Sequence, residues 1–252
     1  MADRAVWNGR WLRARYRRRK PGLTIVIVNF NGDGFIQVAH SAIRRFSPED
    51  VHVMVVDNAS SDASVGWLRS QRHIDTVFLG RNIGHGLGLD RGFHRVRTSH
   101  VIALDVDAFP ISDRWIPTLL DPLGDPHAFV VGAETWRPYA HPCALAMRTE
   151  DFIDERCSFR GGRYDGRWCD VGEIISLSHP DGVRLIPVTE SIGPGIVGSV
   201  FGGVVYHNFY GARFALDEAD VLDGRVKRDD VAVVWKSAVS KYLGSDEPEV
   251  DA

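Results

Sequence analysis

Cysteine is scarce in this sequence: Cys143, Cys157 and Cys169 are the only three among 252 residues. An odd count with no close-set pair excludes a complete disulfide framework and a thiolate zinc site, and a reducing compartment is expected. Long apolar runs are missing too. No stretch approaches the roughly 18 uninterrupted apolar residues of a spanning helix, and the basic start is not followed by an apolar segment of the secretory type. A cytoplasmic protein, neither secreted nor membrane-spanning, is therefore expected. Compositional bias is also absent: 44% hydrophobic and 25% charged residues exclude disordered, collagenous and coiled-coil classes. The length suits one large α/β domain rather than two.

What is concentrated is positive charge at one end. Residues 1 to 20 hold Arg4, Arg10, Arg13, Arg15, Arg17, Arg18, Arg19 and Lys20 against Asp3, a net +7, while the other 232 residues carry 22 basic and 32 acidic side chains, a net −10. Trp7, Trp11 and Tyr16 are interleaved with the arginines. A basic, aromatic arm before an acidic body is either a solvated tail or a surface contact, with anionic lipid or nucleic acid as the candidate partner.

Beyond Pro21-Gly22, the β-branched run Leu23 to Val28 reads as a strand buried on both faces, and Asn29 to Gly34 as a turn-rich loop. Apolar spacing predicts a helix over 35–46, stopped by Ser47-Pro48. A second strand over 51–56, a helix over 63–71, a third strand over 75–79 and a fourth over 100–104 complete a βαβ series, which implies a Rossmann-like doubly wound, mostly parallel sheet with helices on both faces. The second half predicts strands over 128–133 and 142–148, a helix over 149–156, a flexible Gly- and Arg-rich segment over 159–168, a helix over 170–179, and strands over 183–188 and 200–207. The pattern turns helical again from Gly211, with an amphipathic stretch over 229–243. The boundaries read as a basic arm (1–21), a main domain (22–210) divided at 115/116 into donor-binding and acceptor-binding halves, and a helical extension with an acidic tail (211–252).

In doubly wound sheets ligands sit beyond the carboxyl ends of the strands. Four polar loops fall at those ends. The fourth strand finishes on Asp105-Val106-Asp107, a pair of carboxylates that can share a hard divalent cation while leaving room for phosphate oxygens. Asp57 ends the second strand, where a carboxylate can accept hydrogen bonds from a base or a ribose. It could instead cap the next helix, but Asn58, Ser60, Ser61 and Asp62 also offer that function. The third loop, Arg81 to Gly92, is Gly-rich without being a dinucleotide fingerprint, because Leu89 and Arg91 stand where glycines are needed. Its glycines suggest backbone approaching a ligand, or a structural turn.

The succession Ile27-Val28-Asn29-Phe30-Asn31-Gly32, Val55-Val56-Asp57-Asn58-Ala59-Ser60-Ser61-Asp62, Arg81-Asn82-Ile83-Gly84-His85-Gly86-Leu87-Gly88 and Asp105-Val106-Asp107 resembles the GT-A-fold, family 2 glycosyltransferases, in particular their rhamnosyltransferase-like branch. The resemblance covers about residues 22–115 and thins toward 210. It implies a nucleotide-sugar donor bound by Asn29, Asn31, Asp57, Asn58, Asn82, Gly84, Gly86 and Asp105. It further implies a Mn2+ or Mg2+ ion on Asp107, assisted by Asp105 and by the late His207. His141 to Arg148 resembles the strand under the acceptor. Trp168-Cys169-Asp170-Val171-Gly172-Glu173 resembles the segment written Glu-Asp-Val-Asp-Leu, which makes Asp170 the catalytic base, with Glu173 the alternative if the alignment slips. The family's Phe-Gly is His85-Gly86 here and its later Asn is Asp90, departures expected to alter donor preference.

The expected activity is transfer of a sugar from a nucleotide-sugar to an acceptor hydroxyl with inversion. UDP is the first choice of nucleotide, with dTDP or GDP as alternatives; the acceptor is a glycan, a lipid-linked precursor, a natural product or a protein, and nucleic acid is the least expected partner. Peripheral contact with the inner membrane face would come through the arm. Two rivals stand: a non-catalytic sugar-nucleotide or carbohydrate-binding module on the same fold, left open by the altered segment at 168–173, and a nucleotidyltransferase, which would usually place a basic Gly-rich loop after the first strand.

Overall fold

A computed structural model describes residues 14, 18–193, 197–209, 211 and 228–244. The chain runs β1 (Lys20–Asn29), α1 (Phe35–Phe46), β2 (His52–Asp57), α2 (Ser64–Ser70), β3 (Ile74–Phe78), α3 (His85–Phe93), β4 (Thr98–Asp105), β5 (Ala108–Pro110) and α4 (Trp115–Leu120). It continues through β6 (Val130–Ala133), β7 (His141–Arg148), α5 (Thr149–Asp154), β8 (Gly162–Tyr164), β9 (Arg167–Cys169), α6 (Glu173–Ser178), β10 (Val183–Ile186), β11 (Val188–Ile192), β12 (Gly198–Phe201), β13 (Val205–Asn208) and α7 (Arg228–Leu243).

The β-branched run of β1 is explained by burial on both faces. Ile25 and Ile27 point one way, into a cluster with Ile36, Ala39 and Ile43 of α1 and Trp115 and Leu119 of α4. Val26 and Val28 point the other way, onto Leu89 and Phe93 of α3 and Phe152 of α5. Each such fully buried Val or Ile contributes roughly 1.5–3 kcal/mol, so both layers of helices are fastened by one strand. The seven-stranded sheet has the order β10-β6-β7-β4-β1-β2-β3. All neighbours are parallel except β7, which lies antiparallel between β4 and β6. The mostly parallel, doubly wound architecture read from the sequence is the one observed.

Two smaller sheets were not anticipated. Residues 159–168, expected to be flexible, contain the antiparallel hairpin β8–β9, in which Tyr164 pairs with Arg167 across Asp165-Gly166. Both turn residues have positive φ, 47° and 76°, the two-residue hairpin geometry that an Asp-Gly pair favours. That dipeptide was the available signal; the arginines of the short flanking strands masked it. The apolar stretch expected as one strand over 200–207 is two strands, β12 and β13, turned at Gly202-Gly203. With β11 and β5 they form a four-stranded sheet in the order β11-β12-β13-β5. The strand expected over 183–188 stops at Ile186, since Pro187 cannot donate to the ladder, and the chain changes sheets there. The helix expected over 170–179 begins only at Glu173, which leaves Asp170 in the preceding loop.

Helix α7 matches the amphipathic stretch read at 229–243. Val231, Val234, Trp235 and Ala238 are buried, and the Trp235 ring meets Phe35 at 4.6 Å and Phe109 at 5.3 Å. The basic arm, apart from residues 14 and 18–20, and most of the helical pattern expected over 211–227 lie outside the described residues. Cys143, Cys157 and Cys169 are all free and buried. Among the described residues no helix is long and apolar enough to cross a membrane.

Candidate active site

Strand register gathers the polar loops. Asn29 pairs with Asp57, and Val28 with Asp105, so β1, β2 and β4 end level with one another and present their polar residues at one edge of the sheet. The chain then turns at Val106-Asp107 into β5, whose Ala108 pairs with His207 of β13. This pairing of three-residue reach places a histidine about 100 positions away in sequence beside the acidic pair.

The cluster that results is compact. His207 Nε2 lies 3.3 Å from Asp107 Oδ1 and 3.5 Å from Asp105 Oδ2. On the other side His85 Nε2 stands 3.0 Å from Asp105 Oδ1. Burial disfavours the imidazolium of His207, but Cys143 and Asp107 overcome it and hold its pKa well above the ordinary value. His85 is likewise raised, burial being outweighed by Asp105, Asp107 and Asp170. Burial works against the Asp105 carboxylate as well, yet His85 and His207 keep its pKa far below the usual range. The two imidazoles and the Asp105 carboxylate thus favour one another's charged forms, and an ion bound through His207 Nε2 would displace the proton of that ring.

Asp105, Asp107 and His207 each offer one ligand atom, all within 4.8 Å of one another. Metal–ligand bonds of about 2.1 Å imply separations of roughly 3–4 Å between ligand atoms; the two His207–carboxylate separations, 3.3 and 3.5 Å, lie in that range, so the group could hold one divalent ion. Asp105 Oδ1 is buried with no aligned hydrogen bond, which leaves acceptor capacity for such an ion. Two carboxylates and an imidazole form a mixed oxygen and nitrogen set suited to Mn2+.

The residues expected to bind a nucleotide are brought together, but mostly as a buried scaffold. Asn29 Nδ2 lies within hydrogen-bond distance of Asp57 Oδ1 (3.0 Å), Ser60 Oγ (3.1 Å) and Ser64 Oγ (2.9 Å). Asp57 Oδ2 accepts the Ser60 N–H, and the residue is 2% exposed. Its carboxylate thus braces the loop after β2 and does not cap α2, where Asp62 Oδ1 accepts the Ser64 N–H at 3.3 Å. Asn31 stands at φ 48° and its Oδ1 accepts the Ser61 N–H at 2.8 Å. Asn58 Oδ1 accepts the Ile83 N–H, while Asn82 Oδ1 accepts from Asn58 Nδ2 and from the Gly84 N–H. One amide network therefore laces the loops after β1, β2 and β3. Gly86 meets protein rather than open space: a Cβ there would fall 2.5 Å from Phe159 O, so the backbone approach that needs glycine is between α3 and the 158–161 segment.

Asp90 is also turned away from the crevice, which removes the basis for a direct effect on donor choice. It is fully buried, accepting the Phe159 N–H at 2.8 Å and the Ser158 Oγ–H at 2.7 Å. Burial raises its pKa from 3.8 to about 7 in spite of those bonds. A raised folded-state pKa stabilises the fold below the unfolded value, and that stabilisation is lost as pH rises through about 7. Asn can accept the same N–H and donate to the hydroxyl without a charge. Asp90→Asn is expected to melt several degrees above the parent at pH 8, the gap closing toward pH 4.5; parallel melting profiles of the two proteins across that range would refute the assignment.

On the far side of the crevice, Asp170 and Glu173 have separate situations. Asp170 is exposed, with Oδ1 accepting the Val171 N–H at 2.7 Å, and its charge acts on His85. Glu173 is 1% exposed. It is clamped between Arg137 Nη1 (2.8 Å) and Arg167 Nη2 (3.1 Å) and also accepts the Asp170 N–H at 2.8 Å. Sequence reasoning missed Arg137, since nothing in a loop residue 36 positions upstream announces its partner. It also missed Cys143, whose thiol is buried yet held below its ordinary pKa by His207 and His141.

Residues 24–140 match the family model described as glycosyl transferase family 2. No curated protein matches the sequence. Among solved structures, the mannosyltransferase PcManGT from Pyrobaculum calidifontis, in complex with GDP-Man and Mn2+, superposes with a TM-score of 0.52 at 17% identity over 73% of this chain and 66% of its own. S. aureus TarS 1-349, solved alone and with UDP, gives a TM-score of 0.52 at 11% identity over 89% of this chain and 72% of its own. The chain thus spans about two thirds of these relatives. The mixed α/β fold is that of the GT-A glycosyltransferases.

Proposed function

We propose that the protein is a metal-dependent glycosyltransferase of family 2 type, which moves a sugar from a nucleotide-sugar donor to an acceptor hydroxyl with inversion. The observation that carries this reading is the convergence of Asp105, Asp107 and His207 at the carboxyl edge of the sheet, with the exposed Asp170 near enough for its charge to act on the His85 ring beside them. Residues 24–140, which match the family model, include both aspartates of the cluster. The order of the four loop motifs supports the narrower rhamnosyltransferase-like branch.

Asp107, Asp105 and His207 would hold a divalent ion, Mn2+ before Mg2+, which would supply neutralisation of the charge that develops on the departing diphosphate. The laced loops after β1, β2 and β3 hold the nucleotide, with Asn29, Asp57 and Asn58 shaping its wall, Asn31, Asn82 and Gly84 nearer the opening, and the buried Gly86 seating α3 behind them. Asp170 receives the acceptor proton as the hydroxyl attacks the anomeric carbon from the side opposite the diphosphate, general-base catalysis worth roughly 10² to 10⁴ in rate. Glu173 positions Asp170 through its N–H and does not reach the acceptor. UDP is the preferred nucleotide of this reading, and the structures solved with UDP and with GDP-Man keep GDP in view. Peripheral membrane contact is assigned to the basic arm.

The test is thermal stabilisation by UDP-, dTDP- and GDP-sugars with and without Mn2+ or Mg2+. A ligand present at 100 times its Kd stabilises by about 2.7 kcal/mol, or roughly 5–11 °C for a protein of this size. One nucleotide class is expected to give that shift only with metal, followed by slow hydrolysis of the donor. No shift with any nucleotide would overturn the proposal, and a shift without any turnover would favour a binding module.

A further inference from the structure

Tryptophan is among the side chains most thoroughly covered on folding, yet Trp136 is 77% exposed and Trp168 71% exposed. Trp168 lies on β9, two residues before Asp170, with Arg163 of β8 as its cross-strand partner. Trp136 carries the Arg137 guanidinium 4.2 Å above its ring. The segments bearing the two rings are joined, because Arg137 and Arg167 grip the two oxygens of the same Glu173 carboxylate.

This surface is firmly based. Ser158 and Phe159 hang on Asp90 of α3, and Gly86 and Gly161 pack against backbone at the root of the hairpin. Its charge also runs against that of the body. Arg156, Arg160, Arg163 and Arg167 face Asp165 alone over residues 156–168, a net +3, whereas the chain beyond residue 20 carries −10 in all. All four arginines are exposed. Exposed aromatic faces on an anchored segment, with exposed guanidinium groups along it, suit a ligand with flat apolar faces and acidic substituents.

Building on the glycosyltransferase reading, we propose that the β8–β9 hairpin and Trp136 form the acceptor platform and that the acceptor is an anionic saccharide. Sugar rings lie against Trp168 and Trp136, and phosphate, sulfate or carboxylate groups pair with Arg163 and Arg160, which delivers a hydroxyl to Asp170. A saccharide is favoured over a lipid surface because the two rings are tied to the lip of a crevice where a hydroxyl nucleophile is required.

The experiment uses the full chain and fluorescently labelled dextran sulfate, read by anisotropy, against neutral dextran of equal length, phosphatidylglycerol vesicles and a single-stranded oligonucleotide. Dextran sulfate is expected to bind at least tenfold tighter than dextran, and more weakly as salt rises. Trp168→Ala and Arg163→Glu should each weaken it at least fivefold, with melting temperature unchanged and the nucleotide–Mn2+ stabilisation intact. Equal binding of neutral and sulfated dextran, full binding by both variants, or preference for vesicles or oligonucleotide would overturn the proposal. Loss of the nucleotide–Mn2+ shift in the parent protein, with these affinities holding, would instead strike the donor reading and leave the anionic-saccharide site standing.

Discussion

Asp107→Ala is expected to abolish metal-dependent donor binding: the melting shift produced by nucleoside diphosphate with Mn2+ disappears, and transfer falls by at least about 10³, corresponding to the several kcal/mol of charge stabilisation a bound ion supplies. Asp107 Oδ1 is the closer carboxylate oxygen to His207 Nε2, at 3.3 Å against 3.5 Å for Asp105. Removing it leaves two ligands where three converged. Its backbone carbonyl accepts the Asn208 N–H whatever the side chain, so β5 and β13 remain joined and the variant folds. Asp107→Asn keeps the shape and removes the charge, and should fail in the same way. Calorimetry that shows unchanged Mn2+-dependent binding of the nucleotide in either variant would remove Asp107 from the metal site.

The second large effect separates two acids three residues apart. Asp170→Asn should lower turnover by 10² to 10⁴ while the nucleotide–Mn2+ stabilisation and the melting temperature stay as in the parent. Glu173→Gln should do the reverse in emphasis. It leaves Arg137 and Arg167 facing a neutral amide, and because both arginines are partly solvated the cost is on the order of 1–3 kcal/mol, or roughly 2–12 °C in Tm. Its turnover should fall less than that of Asp170→Asn. Near-normal turnover in Asp170→Asn together with collapse in an intact Glu173→Gln would transfer the base to Glu173.

The parallel half of the fold was readable because each strand is a short β-branched run closed by a polar loop, and each crossing is a helix with a single apolar stripe. The position of β7 was not readable. A strand buried on both faces has the same composition whether its neighbours run with it or against it, so the antiparallel insertion left no mark on His141 to Arg148. Asp105 and Asp107 were visible as a pair because they stand two positions apart at the end of an apolar strand. His207 came only from resemblance, since its place beside them depends on pairing with the three-residue strand β5, too short to show periodicity. The clamp on Glu173 was hidden because Arg137 lies 36 positions upstream, and Arg167, six positions upstream, reaches it only through the β8–β9 hairpin. Asp90 looked like a donor-loop residue for the same reason: its partner, the Phe159 N–H, is 69 positions away.

The pairing of β5 with β13 has a consequence for assembly. Asp105 and Asp107 arrive with the first half of the chain, whereas His207 arrives only after the small sheet has closed over a loop of about 100 residues. Closing so long a loop is entropically costly and slow. An ion bound across it would act as a reversible rivet at the polar edge of a joint whose other fastenings are the β5–β13 ladder and the apolar packing of Phe201, Val205 and Trp235 on the first half. Metal uptake would then be a late event in maturation of the chain, and its release an early event in unfolding, before the nucleotide loops come apart.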